Sequence, residues 1–262
     1  MGIVNVTPDS FSDGGRFHST DRAVTHGLAL AEAGADYVDV GGESTRPGAA
    51  RVHPDEEARR VLPVVRALSR SGVAVSVDTT RSVIAAAAVQ AGAVLVNDVS
   101  GGLADPSMTN VIAELRVPWV LTHWRGHSAT MERSAVYGDV VSDVRGELLA
   151  RVDAAVGAGV DPDRLVIDPG LGFAKTPDHD LALLRSLPVL VGLGLPVLLG
   201  ASRKRFLGRL ISDDPAVPRP PQARDAATMA TSTLAARAGV WGVRVHDVAS
   251  TVDLLRVIAA AT

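Results

Sequence analysis

Eight times along its length the chain passes from a short branched, apolar run, through polar or glycine residues, into a longer stretch of helical character. The apolar runs fall at 3–6, 37–40, 74–77, 94–96, 119–122, 165–167, 196–199 and 243–245. The helical stretches between them fall at 21–33, 54–71, 82–91, 106–114, 140–158, 180–191, 224–238 and 249–260. Ser19-Thr20-Asp21 and His53-Pro54-Asp55-Glu56 read as helix starts. Gly34, Gly72, Gly92, Gly159 and Gly239 read as helix ends. Strict alternation demands parallel strands, because each helix must carry the chain back across the sheet. Eight such units in 262 residues predict an α/β protein, a single (β/α)8 TIM barrel with its active site at the C-terminal ends of the strands. The rival is a doubly wound open sheet, whose glycine fingerprint after the first strand is missing.

Composition supports the barrel and removes several kinds of chemistry. Aromatic residues make up only 3% of the chain, and short branched residues packed by alanine-rich helices suit buried parallel strands. Cysteine is absent, which excludes disulfides, thiolate metal sites and a cysteine nucleophile. Lys and Arg number 26 against 29 Asp and Glu, so a net charge of −3 offers no global footprint for nucleic acid. The longest uncharged stretch, 186–202, is broken by two prolines and three glycines and is too short for a membrane span. The first residues carry no basic leader, and a cytoplasmic protein is expected. No linker or charge block divides residues 1–262, which are read as one domain; 213–222, with four prolines, is the loosest loop.

In a barrel the strand ends and the loops after them converge on one mouth. Those positions hold Asn5, Asp78, Asn97, Thr122, His123, Asp168, Ser202, Lys204, Arg244 and His246. A single Asp after a strand often just caps the next helix, and Asp98, beside Asn97, is read that way. Capping does not explain polar groups at nearly every strand end. Asp78, Asn97 and Asp168, with donors at Lys204 and Arg244, suit a flat heterocycle of alternating donors and acceptors, on which the Arg244 guanidinium can stack. Arg244 and His246, with Asn5 from the first strand, can face an anionic group, and Asn5 suits a Mg²⁺ that keeps most of its waters. No protein-only metal motif and no Gly-x-Ser-x-Gly elbow is present. His18, His26, His53, Lys175 and Arg205 are read as solvent-facing.

The ordered segments carry a resemblance. Met-Gly-Ile-Val-Asn-Val-Thr-Pro-Asp-Ser-Phe-Ser-Asp-Gly-Gly at 1–15 and Asp-Val-Gly-Gly-Glu-Ser-Thr-Arg-Pro-Gly at 39–48 resemble the two long signatures of dihydropteroate synthases. Ser-Val-Asp-Thr at 76–79, Asn-Asp-Val-Ser-Gly at 97–101, Asp-Pro-Gly at 168–170, Ser-Arg-Lys-Arg-Phe at 202–206 and Arg-Val-His at 244–246 follow in family order. The likeness spans essentially the whole chain and leans toward actinobacterial members.

This resemblance implies a transferase of folate biosynthesis that joins p-aminobenzoate to 6-hydroxymethyl-7,8-dihydropterin diphosphate, forming 7,8-dihydropteroate and diphosphate by a dissociative substitution. It implies that Asp78, Asn97, Asp168 and Lys204 line the pterin pocket with Arg244 stacked on the ring, and that Asn5, Arg244 and His246 hold the diphosphate with Mg²⁺. Loops bearing Asp9, Phe11 and Asp13, and Thr45, Arg46 and Pro47, are expected to close over the site. Phe173, Lys204 and Ser202 join them around p-aminobenzoate, where sulfonamides compete in the family. The family also implies a homodimer through the last helices, with Val252, Leu254, Leu255 and Ile258 as its apolar surface or, equally, as core. Three departures stand out: Met1 at the start of the first strand, which puts closure of the barrel bottom in question, Thr122 in place of a frequent methionine, and Ala174 in place of a frequent glycine. The alternatives are a catalytically silent pterin-binding paralogue and a pterin-dependent methyltransferase domain. The second would not need the Ser-Thr-Arg-Pro-Gly loop.

Overall fold

The computed structural model describes residues 1–7, 16–44, 48, 51–127 and 130–261. Six four-residue strands form one parallel sheet in chain order: β1 (Gly2–Asn5), β2 (Val38–Gly41), β3 (Val75–Asp78), β4 (Leu95–Asp98), β5 (Trp119–Thr122) and β6 (Leu165–Asp168). Two shorter strands, β7 (Leu198–Leu199) and β8 (Gly242–Val243), pair with each other. The ring is completed by two single bridges, Ile167 to Val197 and Gly2 to Val245. At the second, Ile3 N–H donates to the Val245 carbonyl at 3.1 Å and Val245 N–H to the Met1 carbonyl at 2.9 Å. The barrel therefore closes through the first strand, and an open doubly wound sheet is excluded.

Helices α1 (Arg16–Glu32), α2 (Pro54–Arg70), α3 (Ser82–Gln90), α4 (Met108–Leu115), α5 (Val140–Gly157), α6 (Pro177–Arg185), α7 (Leu187–Val191), α8 (Arg205–Leu210), α9 (Asp225–Arg237) and α10 (Val248–Ala261) link the strands. Among the described residues no helix is long and apolar enough to cross a membrane. Local chemistry sets the helix starts. His53 caps α2, with Pro54 in its first turn and Asp55, Glu56 and Glu57 facing the positive end of the helix dipole. Asp139 caps α5 by accepting from the N–H groups of Val141 and Ser142, both at 2.9 Å.

Three expectations shift. α1 begins at Arg16, before the Ser19-Thr20-Asp21 start signal. The stretch at 180–191 starts earlier, on a Thr176–His179 capping box, and breaks at Ser186 because Pro188 begins a separate short helix, α7. The six-residue α8 was not anticipated at all.

Alternation along the strands sorts the core into two layers. Val38, Val40, Val75, Val77, Val96, Trp119, Leu121, Leu165 and Ile167 face out and pack with the helices. Leu95, Val120, Val166 and Leu198 form a separate cluster inside the barrel. Two residues further along the same strands, Asn97, Thr122 and Asp168 share that inward parity. The apolar plug thus becomes a polar floor toward the C-terminal mouth.

Candidate active site

One carboxylate organises the floor. Asp39, wholly buried on β2, accepts from Ser76 Oγ through Oδ1 at 2.6 Å. Its Oδ2 accepts from Asn97 Nδ2 at 2.9 Å and from Arg244 Nε at 2.6 Å. Arg244 then donates through NH2 to Asp78 Oδ2 at 2.9 Å. Three strands, β2, β3 and β4, and the residues following β8 are tied together at one level. Burial pushes the Asp78 carboxyl up to about 7, with the Arg244 cation opposing and the Asp39 charge adding to the rise.

The opposite wall is cationic. Asp168, at the end of β6, accepts from Gly170 N–H at 2.7 Å, and burial raises its pKa against the pull of that bond and of Lys204. Gly170 has φ 66, and a side chain there would strike the His123 carbonyl oxygen. Lys204 Nζ donates to the Leu171 carbonyl at 2.6 Å and lies 4.1 Å from the Phe173 ring centre. Burial lowers its pKa to about 8, with Asp168 and Asp180 holding it up. Phe173 packs in a small cluster with Met131 and Ala174, and Ala174 adopts φ 48, the left-handed backbone that favours glycine. Ser202 Oγ accepts from the His246 backbone N–H at 3.2 Å and is also hydrogen-bonded to His246 Nδ1, 2.9 Å away.

The structure brings together Asp78 and Arg244 by direct contact and links Asn97 to Arg244 through Asp39; it also sets Lys204 against Phe173 and Ser202 against His246. Asn5 ends β1 in register with Gly41, which aligns with Asp78 and then Asn97. Phe11, Asp13, Thr45, Arg46 and Pro47 lie outside the described residues, as does Asp9. Asp98 is structural as expected, accepting from Ser100 N–H, Ser100 Oγ and Gly102 N–H at 2.8, 2.6 and 2.7 Å. Arg205 is exposed as expected.

Lys175 is a correction: its ammonium is buried, bonded to the Gly170 and Phe173 carbonyls at 3.0 Å each and 2.9 Å from His123 Nδ1. Burial lowers its pKa to about 7. His123 is in turn held neutral, its pKa lowered to about 3 by burial and then by the Lys175 charge, while Nε2 lies 3.0 Å from Glu147. Asp39 was also missed as a site residue, although valines on either side of it leave only the barrel interior for its side chain.

At the loop after β2, Glu43 is flanked by Arg51 at 3.3 Å and Arg81 at 2.8 Å, and Arg81 also pairs with buried Glu57. Among the described residues no three His, Cys, Asp or Glu side chains converge as a metal site. The donor that remains, one amide oxygen of Asn5 at the end of β1, fits a Mg²⁺ ligated mainly by water and phosphate oxygens, and not a caged ion.

A parallel barrel whose mouth presents carboxylates, an amide and two buried cations can bind a planar, donor-rich ring and an attached anion. The model of the family described as pterin binding enzyme matches residues 1–246. The dihydropteroate synthase of Mycobacterium leprae is 59% identical over 261 residues, covering 99% of this chain and 92% of that protein. This chain belongs to the dihydropteroate synthase family. The similarity to a mycobacterial relative agrees with the actinobacterial leaning of the sequence. The Xanthomonas albilineans dihydropteroate synthase solved with 4-aminobenzoic acid superposes with a TM-score of 0.92 at 48% identity, covering 100% of this chain and 92% of that one. The same enzyme in complex with 7,8-dihydropteroate gives 0.88 at 45% identity with the same coverage.

Proposed function

We propose that this dihydropteroate synthase family member condenses p-aminobenzoate with 6-hydroxymethyl-7,8-dihydropterin diphosphate. The observation that carries the reading is the joining of Asp78, Asn97 and Arg244 on one side of the mouth, facing Asp168 and Lys204 on the other. Carboxylates at both edges accept N–H bonds from the pterin ring, and the guanidinium plane of Arg244 meets its face.

The reaction breaks the bond from the exocyclic methylene carbon to the diphosphate oxygen, and the electron pair leaves with diphosphate. The ring supports the carbocation, the aniline nitrogen adds to it, and a proton leaves that nitrogen. A neutral aniline needs positioning more than activation, so no general base is assigned. Lys204 over Phe173 orients p-aminobenzoate beside the methylene. Arg244 and His246 take up the charge on the departing diphosphate, with Ser202 fixing the His246 ring. Asn5 would hold a Mg²⁺ together with the diphosphate, and the ion would supply further charge neutralisation when bound. The loops bearing Asp9, Phe11 and Asp13, and Thr45, Arg46 and Pro47, would exclude water that otherwise captures the cation. Sulfonamides, which mimic p-aminobenzoate, compete for its pocket.

Incubating the protein with the pterin diphosphate, Mg²⁺ and p-aminobenzoate should yield dihydropteroate and diphosphate in equal amounts. Tight pterin binding without condensation would overturn the synthase reading in favour of a silent or methyl-transferring pterin binder. A homodimer through α9 and α10 belongs to the same reading: Leu234 and Val257 are exposed there, and Leu254 and Ile258 are only partly buried. Light scattering at micromolar concentration should return twice the 27.1 kDa chain mass; a monomer refutes it.

A further inference from the structure

We infer that Asp39 is the positioning residue that sets the hydrogen-bonding code of the pterin pocket, by turning the Asn97 amide and fixing the plane of Arg244. This rests on the functional reading above. A carboxylate without a proton only accepts, so the Asn97 amide has one allowed orientation, with Nδ2 toward Asp39 Oδ2 at 2.9 Å. The flipped amide would set two acceptors against each other inside a dry barrel. Asn97 Oδ1 is thereby turned away from Asp39. Among the described residues it takes no bond, and it is not among the buried polar atoms left without a partner, so it opens on the mouth.

The same Oδ2 holds Arg244 Nε at 2.6 Å, and Ser76 Oγ pins Oδ1 at 2.6 Å, so the carboxylate cannot rotate. With Asp78 and Asp168 on either side, these three positions then present acceptors: two carboxylates and one amide carbonyl. A ring that offers N–H donors along one edge is selected, and a ring with an acceptor or a bare C–H there leaves these oxygens unpaired. Asp39 touches no ligand in this scheme. It determines specificity through Asn97 and Arg244.

The variant Asp39→Asn keeps the shape and removes the obligation. Its carboxamide can present oxygen or nitrogen, so Asn97 can flip and Oδ1 is no longer enforced. The test measures, by calorimetry, the affinity of 6-hydroxymethylpterin and of the same ring with the 2-amino group replaced by hydrogen. Dihydropteroate formation and Tm are followed in parallel. The expected result is a fall of at least tenfold in the wild-type preference for the amino-bearing ring, beyond any loss of overall affinity. An unchanged preference in a folded Asp39→Asn protein overturns the inference, because a merely structural carboxylate would lower stability without altering the ratio.

If Asp39→Asn does not fold, Ser76→Ala releases Oδ1 and should lower the same ratio severalfold; an unchanged ratio there also overturns it. Wild-type protein that neither binds pterin nor forms dihydropteroate would instead sink the functional reading itself.

Discussion

Asp78 makes the pterin pocket sensitive to pH in a direction the structure specifies. Its carboxyl is buried, and burial raises its pKa to about 7. Arg244 pulls that value down, and Asp39, Glu57 and Asp98 push it up. A carboxylate can accept two N–H bonds side by side, whereas the protonated acid loses part of that capacity and adds a donor where the ligand also donates. Binding therefore needs the ionised form and weakens as pH falls through 7. At one unit below the pKa about one molecule in eleven is ionised, and at two units about one in a hundred, so affinity should fall roughly tenfold and then roughly a hundredfold, about 1.4 kcal/mol per unit.

The assay is fluorescence titration of 6-hydroxymethylpterin between pH 5 and 9. That ligand lacks the diphosphate, whose own ionisation would confuse the profile. Arg244→Met removes the cation that lowers the Asp78 pKa and should move the acid limb to higher pH. Asp78→Asn should remove the contribution of Asp78 to the limb, leaving that of Asp168, whose pKa burial also raises. A wild-type affinity that changes less than twofold between pH 8 and pH 5 would refute the reasoning, and so would a limb that moves to lower pH in Arg244→Met.

Lys204→Ala removes the buried cation between Asp168 and Phe173 and should lower kcat/KM for the condensation by about a hundredfold or more; a loss below tenfold in a rate assay contradicts its placement. Lys175→Met strips the donor from the Gly170 and Phe173 carbonyls, and at about 1–3 kcal/mol per unsatisfied buried acceptor should lower Tm by roughly 5 °C or more. In the same variant KM for p-aminobenzoate should rise more than KM for the pterin diphosphate. Gly170→Ala forces a side chain against the His123 carbonyl at φ 66 and should destabilise the fold by about 2 kcal/mol or more in urea titrations, with pterin affinity falling as Asp168 is displaced. Chelating divalent ions should halt condensation while leaving the affinity for 6-hydroxymethylpterin within twofold; condensation that survives removes the proposed role of Mg²⁺.

What the chain showed in one dimension was whatever local order carries. Alternation of apolar runs with helical stretches determines a parallel ring, and polar residues at strand ends mark its mouth, so Asp78, Asn97, Asp168, Lys204 and Arg244 could be placed at that mouth without coordinates. The errors share a cause. Pro188 splits a helix that periodicity alone runs together, and α8 is too short for any period to register. Lysine is usually exposed, and nothing near Lys175 in sequence announces that the loop after β6 folds over it to meet His123, 52 residues earlier.

Asp39 is the sharper case. It sits mid-strand in an apolar run, two positions short of the strand's last residue, where a carboxylate reads as an oddity of the core. Its partner Arg244 is 205 residues away and reaches it only because the last strand closes on the first. Parity still held the clue: with Val38 and Val40 committed to the helices, Asp39 had to point into the barrel. A charge placed there needs an opposite charge from another strand. Arg244, inward-facing on the strand end nearest the seam, is the cation that closure delivers. The residue that orders the pocket and the residue expected to stack on the pterin are thus two halves of one buried ion pair, and neither can be replaced without disturbing what the other presents to the ligand.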